Sequence, residues 1–340
     1  VESNKTILID VTPPIFASAA STQPNGYYSV GDTVTFSATF DDSVARSSSG
    51  TSWTVYLNSG HSITGEIEAG NMLTMNFTDT VKIGDASPDF GINSIVITDG
   101  SLRDFAGNDM STFTILDGNN IFDSKNIYID GIAPADFDLA SVTTIVDSVY
   151  TGFFNSVNSG AIVPVELQND TTLIGGTIQM VAMVDTTDDL IPNDTTSIGS
   201  PYTILESDLP PTEFVSMSLS DNDVESASGL AENRYVYFSA TVTDVAGNST
   251  SSDASLFSVL IYDHTVPIDL GIDSVKSRGS VVVPGYLNNT NNQLIIFTDL
   301  DTSDETMRGG GRVRIQARMD GEIDWTTLNP GGKVVTQSHL

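Results

Sequence analysis

The sequence predicts an all-β chain made of tandem sandwich modules in an extended array, and three observations carry that prediction. Apolar and polar residues alternate with period 2 in several runs, while no useful apolar period of 3.6 appears. Clusters of Gly, Asn, Asp and Ser interrupt those runs every 8 to 15 residues. Two signals also recur. Asp104-Phe105-Ala106-Gly107-Asn108 returns as Asp244-Val245-Ala246-Gly247-Asn248. A short apolar run ending in Asp, with Pro four residues later, occurs at Asp10…Pro14, Asp130…Pro134 and Asp263…Pro267.

The first run alternates Val34, Phe36, Ala38 and Phe40 with Thr33, Thr35, Ser37 and Thr39, which is a half-buried strand. Trp53, Val55 and Leu57 repeat the pattern, as do Leu73, Met75 and Phe77. In the second half Val236, Phe238, Ala240 and Val242 face one way, with Tyr235, Tyr237, Ser239 and Thr241 facing the other. Residues 185–208 are polar and read as a long surface loop or an irregular edge.

The repeated signals set the boundaries. Residues 1–9 read as the last strand of a preceding module, 10–129 as the first full module, 130–262 as the second, and 263–340 as an incomplete third. Asp130 and Asp263 are 133 residues apart, and Gly152-Phe153-Phe154-Asn155 returns at the same offset as Gly285-Tyr286-Leu287-Asn288. Gly175-Gly176-Thr177-Ile178 returns at offset 135, which places a two-residue insertion in the acidic turn 298–305. The third module carries no Asp-x-Ala-Gly-Asn. The expectation is a window cut from a longer array.

Composition narrows the function classes. Net charge is −31, from 44 acidic and 13 basic groups. That balance opposes nucleic acid, which needs a basic footprint, and anionic membranes, and it attracts cations. No apolar run is long enough to insert into a membrane. The absence of cysteine removes disulfides, thiolate metal sites and Cys nucleophiles together. The acid is ten Glu against 34 Asp, an excess that means turns, Asx caps or hard-cation ligands.

Five blocks in order resemble one known family. They are Asn25-Gly26-Tyr27-Tyr28-Ser29-Val30-Gly31-Asp32-Thr33-Val34, Phe40-Asp41-Asp42-Ser43-Val44, Leu57-Asn58-Ser59-Gly60, Val81-Lys82-Ile83-Gly84-Asp85, and Asp104 to Asn108. Together they are similar to the bacterial immunoglobulin-like repeat of large surface proteins and adhesins. Asp41-Asp42-Ser43-Val44 departs from the family's Ser-Glu-Pro-Val type turn, keeping a carboxylate and losing the proline. The resemblance implies tandem immunoglobulin-like β-sandwich domains, outside the cell or on its surface.

In a sandwich of that type three segments meet at the pole where the chain comes in: the linker, the turn after the second strand, and the turn before the last. In the first module these carry Asp10, Asp41 with Asp42, and Asp104 with Asn108. In the second they carry Asp130, Asn169 with Asp170, and Asp244 with Asn248. In the third they carry Asp263 and the run with Asp299, Asp301 and Asp304. Converging carboxylates repel by about 1 kcal/mol per pair at 4 Å even in water. Ca2+, which takes six to eight oxygens and needs neither His nor Cys, would remove that repulsion. The competing reading is that these residues only accept turn amides and cap the linkers.

Enzyme chemistry has little to stand on. His61, His264 and His339 are the only histidines, and His264 reads as a linker residue. Exposed aromatics at Tyr27, Tyr28, Phe153, Phe154 and Tyr286 could stack a carbohydrate or cover a sandwich edge. The expected function is a non-enzymatic extracellular stalk or filament segment, stiffened by Ca2+ at module junctions. Its partners are neighbouring modules of one chain or further copies. The alternatives are a carbohydrate- or receptor-binding module, and a surface lattice or strand-exchanged polymer.

Overall fold

The structure, a computed structural model, describes residues 7–145, 151–187, 189–253, 258–266, 270–300 and 312–334. The first sandwich is built from β1 (Phe16–Ser21), β2 (Gly26–Tyr28), β3 (Thr33–Arg46), β4 (Ser52–Leu57), β5 (Ser62–Glu66), β6 (Met72–Thr80), β7 (Ala86–Ser87), β8 (Ile92–Thr98), β9 (Leu102–Arg103) and β10 (Ile127–Asp130). One face is β1-β3-β6 with β9 beside β3; opposite it lie β5-β4-β8 and β2-β10-β7. The inward residues of the period-2 runs fill the space between. Phe16 stacks on Phe40 at 4.6 Å, and Phe36 meets Phe77 and Phe90 at 5.3 Å each.

The second sandwich comprises β11 (Thr143–Ile145), β12 (Phe153–Asn155), β13 (Gly160–Val165), β14 (Thr177–Val184), β15 (Asp194–Thr203), β16 (Val215–Ser220), the five-residue helix α1 (Asp221–Glu225), β17 (Tyr235–Thr243), β18 (Ser249–Ser251) and β19 (Val259–Asp263). Sheet β11-β13-β16 faces sheet β12-β19-β17-β14-β15, with β18 on β17. Both sandwiches have the immunoglobulin-type arrangement, in which the last strand runs parallel to a short strand near the start. Tyr128 pairs with Tyr27 and Tyr262 with Phe154 in these parallel ladders. Each sandwich has its own core cluster, so the chain is all-β with two immunoglobulin-like sandwiches in tandem.

Beyond residue 263 the described strands are β20 (Gly271–Gly279) paired with β21 (Asn291–Asp299), and two short pairs. The short pairs join β22 (Arg312–Val313) to β25 (Lys333–Val334) and β23 (Gln316–Ala317) to β24 (Thr326–Thr327).

Several local expectations change. Asp41 and Asp42 are not in a turn after the second strand: β3 runs on through them to Arg46, with a register shift against β6 between Thr39 and Val44. That irregularity leaves Leu73 outward and 52% exposed, although Met75 and Phe77 point in as expected. For residues 185–208 the irregular-edge alternative holds: they include β15, an edge strand on β14 with a register shift, and only Ile198 of that strand is buried, which explains the polar composition. Ile7, Leu8 and Ile9 are exposed and join no strand among the described residues. Residues 1–6, and with them most of the strand expected at the start, lie outside the described residues.

Phe238, fully buried on the central strand β17, tests the separation of the cores. Phe238→Ala should destabilise the second sandwich by about 3–5 kcal/mol and leave the unfolding transition of the first in place. Denaturant titration followed by tryptophan fluorescence (Trp53 reports the first sandwich) and by circular dichroism checks both halves of that statement.

Candidate metal centre at the acidic poles

The two Asp-x-Ala-Gly-Asn segments fold alike because their residues bond one another. Asp244 Oδ1 accepts the amides of Gly247 (2.7 Å) and Asn248 (2.9 Å), and Oδ2 accepts Asn248 Nδ2 at 2.9 Å. Gly107 and Gly247 have φ of +93° and +100°, where glycine is favoured, and let the chain reverse. Asp104 repeats the bonds, taking the Asn108 amide at 2.9 Å and Asn108 Nδ2 at 2.7 Å. The Asn108 side chain holds the Asp104 carboxyl below its ordinary pKa, and backbone amides of the turn add to this against the opposing effect of burial.

Each turn then grips the linker. Asn248 Nδ2 donates to the carbonyl of Asp130 at 2.9 Å, and Asn108 Nδ2 to that of Asp10 at 3.3 Å. Thr250 Oγ1 adds a bond to the carbonyl of Pro134. The asparagines therefore serve as struts through their nitrogens.

At the first pole one carboxylate oxygen each from Asp10, Asp42 and Asp104 lies within 4.8 Å of the others. That spacing fits one hard cation, since oxygens on opposite sides of Ca2+ stand about 4.8 Å apart at ~2.4 Å per bond. Asp41 is committed elsewhere, its Oδ1 accepting the Ile15 amide at 2.8 Å.

The second pole is more buried and more open in geometry. Asp130, Asp170 and Asp244 do not close to the same spacing, yet their charges act on one another. Asp130 is 7% exposed. Its Oδ1 accepts the Ile132 amide at 3.1 Å, and its Oδ2 is buried without a hydrogen-bond partner. Burial pushes the Asp130 carboxyl above its ordinary value; the Ile132 amide opposes this, and the charges of Asp244 and Asp170 reinforce it. Asp170 is fixed by capping Thr172, whose amide and hydroxyl donate to Oδ1 at 2.9 and 2.7 Å. Asn169 makes no side-chain hydrogen bond among the described residues. The donor set suits calcium: oxygen only, partly desolvated, and short of positive charge.

The third pole is not assembled among the described residues. Asp263 ends β19 and pairs in register with Asn155, Asp299 ends β21, and Asp301 and Asp304 lie outside the described residues.

The aromatic residues do not form one stacking face. Phe154 is fully buried in the second core, and Tyr28 is half-buried with its hydroxyl donating to the carbonyl of Pro24 at 2.9 Å. Each sits on the covered side of a three-residue edge strand, which corrects the expectation of exposure. Phe153 is half-buried, Tyr286 is 72% exposed in the third segment, and Tyr27 is 45% exposed and stacks on Tyr128 at 4.8 Å.

No family model matches this chain, and neither does any curated protein. Solved structures do align with it. The FN1-FN3 domains of chicken CNTN1 align at a TM-score of 0.26 and 11% identity, over 73% of this chain and 68% of that one. An ICAM-5 D1-D4 ectodomain fragment aligns at 0.28 and 10%, over 94% and 75%. At TM-scores this low the likeness carries no argument, and the immunoglobulin-type assignment rests on the strand pairing. Among the described residues no helix is long and apolar enough to cross a membrane.

Two features escaped the sequence reading. His61 lies between Asp79 and Asp85, Nε2 at 2.9 Å and Nδ1 at 3.0 Å from their carboxylates. Burial raises the Asp79 carboxyl, with His61 opposing and Asp85 adding. Asp221, Glu225 and His264 also come together. In the first set the partners lie on different strands and turns; in the second Asp221 and Glu225 share the short helix α1, but His264 lies some forty residues further on.

The Asp130 carboxyl gives a signed pH prediction. Its raised folded-state pKa means that its charge costs stability above that pKa, and the cost vanishes as pH falls toward the unfolded value of about 3.9. With calcium chelated, Asp130→Asn should raise the melting temperature at pH 7, and its advantage over the unchanged chain should shrink as pH falls toward 4. Paired thermal melts across that range read the difference directly.

Proposed function

We propose that this chain is a spacer segment of an extracellular modular stalk, in which Ca2+ at the acidic poles stiffens the joints between immunoglobulin-like sandwiches. The observation that carries the reading is Asp130: a buried linker carboxylate with a partnerless oxygen, placed beside Asp170 and Asp244 at the joint between two sandwiches. Asp10, Asp42 and Asp104 supply the oxygens at the first pole, and Asp130, Asp170 and Asp244 at the second. Bound there, a dication would cancel the mutual repulsion of three carboxylates and join linker, strand turn and hairpin.

The joint itself favours a fixed geometry. Gly131 donates to the Asp85 carbonyl at 2.7 Å and accepts from the Gly84 amide at 2.9 Å, so loop 82–85 of the first sandwich holds the first linker residue after Asp130. A Cβ at Gly131 would stand 2.2 Å from the Lys82 carbonyl oxygen, so glycine is what lets the two segments approach. The resemblance to bacterial immunoglobulin-like repeats of surface proteins and adhesins fits a spacing role, and the strongly acidic surface fits solubility outside a cell and cation capture. A carbohydrate-stacking role finds less support, since Phe154 and Tyr28 are taken up by packing.

Calorimetric titration of the whole chain with Ca2+ tests the proposal. The expected result is saturable heat, a higher melting temperature, and a narrower spread of inter-sandwich distances by small-angle X-ray scattering. Asp130→Asn should remove the contribution of the second pole and Asp104→Asn that of the first. No heat and no change in melting temperature would end the calcium reading.

A further inference from the structure

We propose that the second sandwich carries a binding site for a first-row divalent metal of the zinc class, formed by Asp221, Glu225 and His264 where the chain leaves that sandwich. One oxygen from each acid and one imidazole nitrogen lie within 4.8 Å of one another. The site uses none of the oxygens assigned to calcium above.

Local structure brings all three side chains to one place. Ser220 caps α1, accepting the Asp223 amide at 3.2 Å while Asp223 Oδ2 accepts the Ser220 amide at 2.8 Å. Buried Val224 anchors the turn to the core. Asp221 and Glu225 are then four residues apart and share a helix face. The helix is too short to act through its dipole, and only these side chains matter. His264 follows β19, whose parallel pairing with β12 sets Tyr262 beside Phe154. The imidazole stacks on Tyr262 at 4.4 Å and on Phe154 at 5.8 Å, and the His264 amide donates to the Glu232 carboxylate at 3.1 and 3.2 Å to its two oxygens. The ring is thus held with Nδ1 3.2 Å from Glu225 Oε1.

A ring nitrogen without a proton is repelled by a carboxylate at that distance, so either a proton on Nδ1 or a cation lies between them. A proton on Nδ1 satisfies Glu225 alone. It leaves Asp221 Oδ1 buried without a hydrogen-bond partner, and His264 Nε2 is likewise without one. A dication satisfies both carboxylates and the nitrogen together. Tetrahedral zinc with bonds of about 2.0–2.1 Å places its ligands about 3.3 Å apart, so the His264–Glu225 pair already has the required separation. Glu225 is exposed and can follow Asp221 inward. Imidazole beside two carboxylates favours zinc, cobalt or nickel over calcium and magnesium, and three protein ligands leave a position for water.

The site also departs from the repeat. At the preceding joint the place of His264 is taken by Gly131, and the first sandwich has no counterpart of α1 among the described residues. A zinc-class ion here would mark one joint of the array as different from its neighbours.

The test is calorimetric titration of the whole chain with Zn2+ in saturating Ca2+, with Co2+ as a spectroscopic substitute. One saturable site is expected, with the intense visible absorption of low-coordinate Co2+. His264→Ala and Glu225→Gln should each weaken binding at least about tenfold, and Asp130→Asn should leave it unchanged. Absence of saturable Zn2+ binding would overturn the proposal. So would binding that survives both His264→Ala and Glu225→Gln, which would be an adventitious surface ion only, or binding abolished by Asp130→Asn, which would assign the ion to the calcium pole.

Discussion

One hydrogen bond, from the Asn248 side-chain amide to the Asp130 carbonyl, fixes how the chain passes into the second sandwich. The same asparagine nitrogen also serves the Asp244 carboxylate, so a single amide group ties hairpin turn to linker. Its twin, Asn108 on Asp10, does this for the first sandwich. The Gly247 and Asn248 amides go to the Asp244 carboxylate, while Asp130 Oδ2 lies buried without a hydrogen-bond partner.

Much of this was legible in the residues. Val34 to Phe40 and Val236 to Val242 announced their strands because each has one face on a core, and a two-residue period has no other reading over that length. The Asp-x-Ala-Gly-Asn turns were legible because Gly suits the positive φ of their fourth residue, and Asp and Asn supply local acceptors and donors. Of Asp10, Asp41, Asp42, Asp104 and Asn108, grouped in the sequence, Asp10, Asp42 and Asp104 bring one carboxylate oxygen each close together, although Asp42 lies within β3 and not in the expected turn. The misread positions share a cause. Asp41 and Leu73 depend on a register irregularity between β3 and β6, which no pattern within either strand records. Phe154 depends on which side of a three-residue strand is covered, and Asp221, Glu225 and His264 depend on contacts across some forty residues of sequence. Local rules reach the elements; contacts between elements come from tertiary packing.

The joint between the sandwiches combines opposite devices. Backbone bonds through Gly131 bring two segments close, whereas Asp130, Asp170 and Asp244 push their segments apart. His61, lodged between Asp79 and Asp85, supports the loop that holds Gly131 from below. A chain carrying −31 charges places some of its most desolvated carboxylates where its modules meet. Under the calcium proposal, local cation concentration would control how firmly neighbouring sandwiches are set against each other.

The parallel pairings of β2 with β10 and of β12 with β19 have a mechanical consequence. In each sandwich these are a strand near the beginning and the strand at the end. Pulling the chain from both sides drags such strands lengthwise past each other, so the backbone bonds between them are loaded in shear and must give way together. An antiparallel pair hauled from one edge would open bond by bond. A segment that holds its place under tension gains from the first arrangement, and both sandwiches have it.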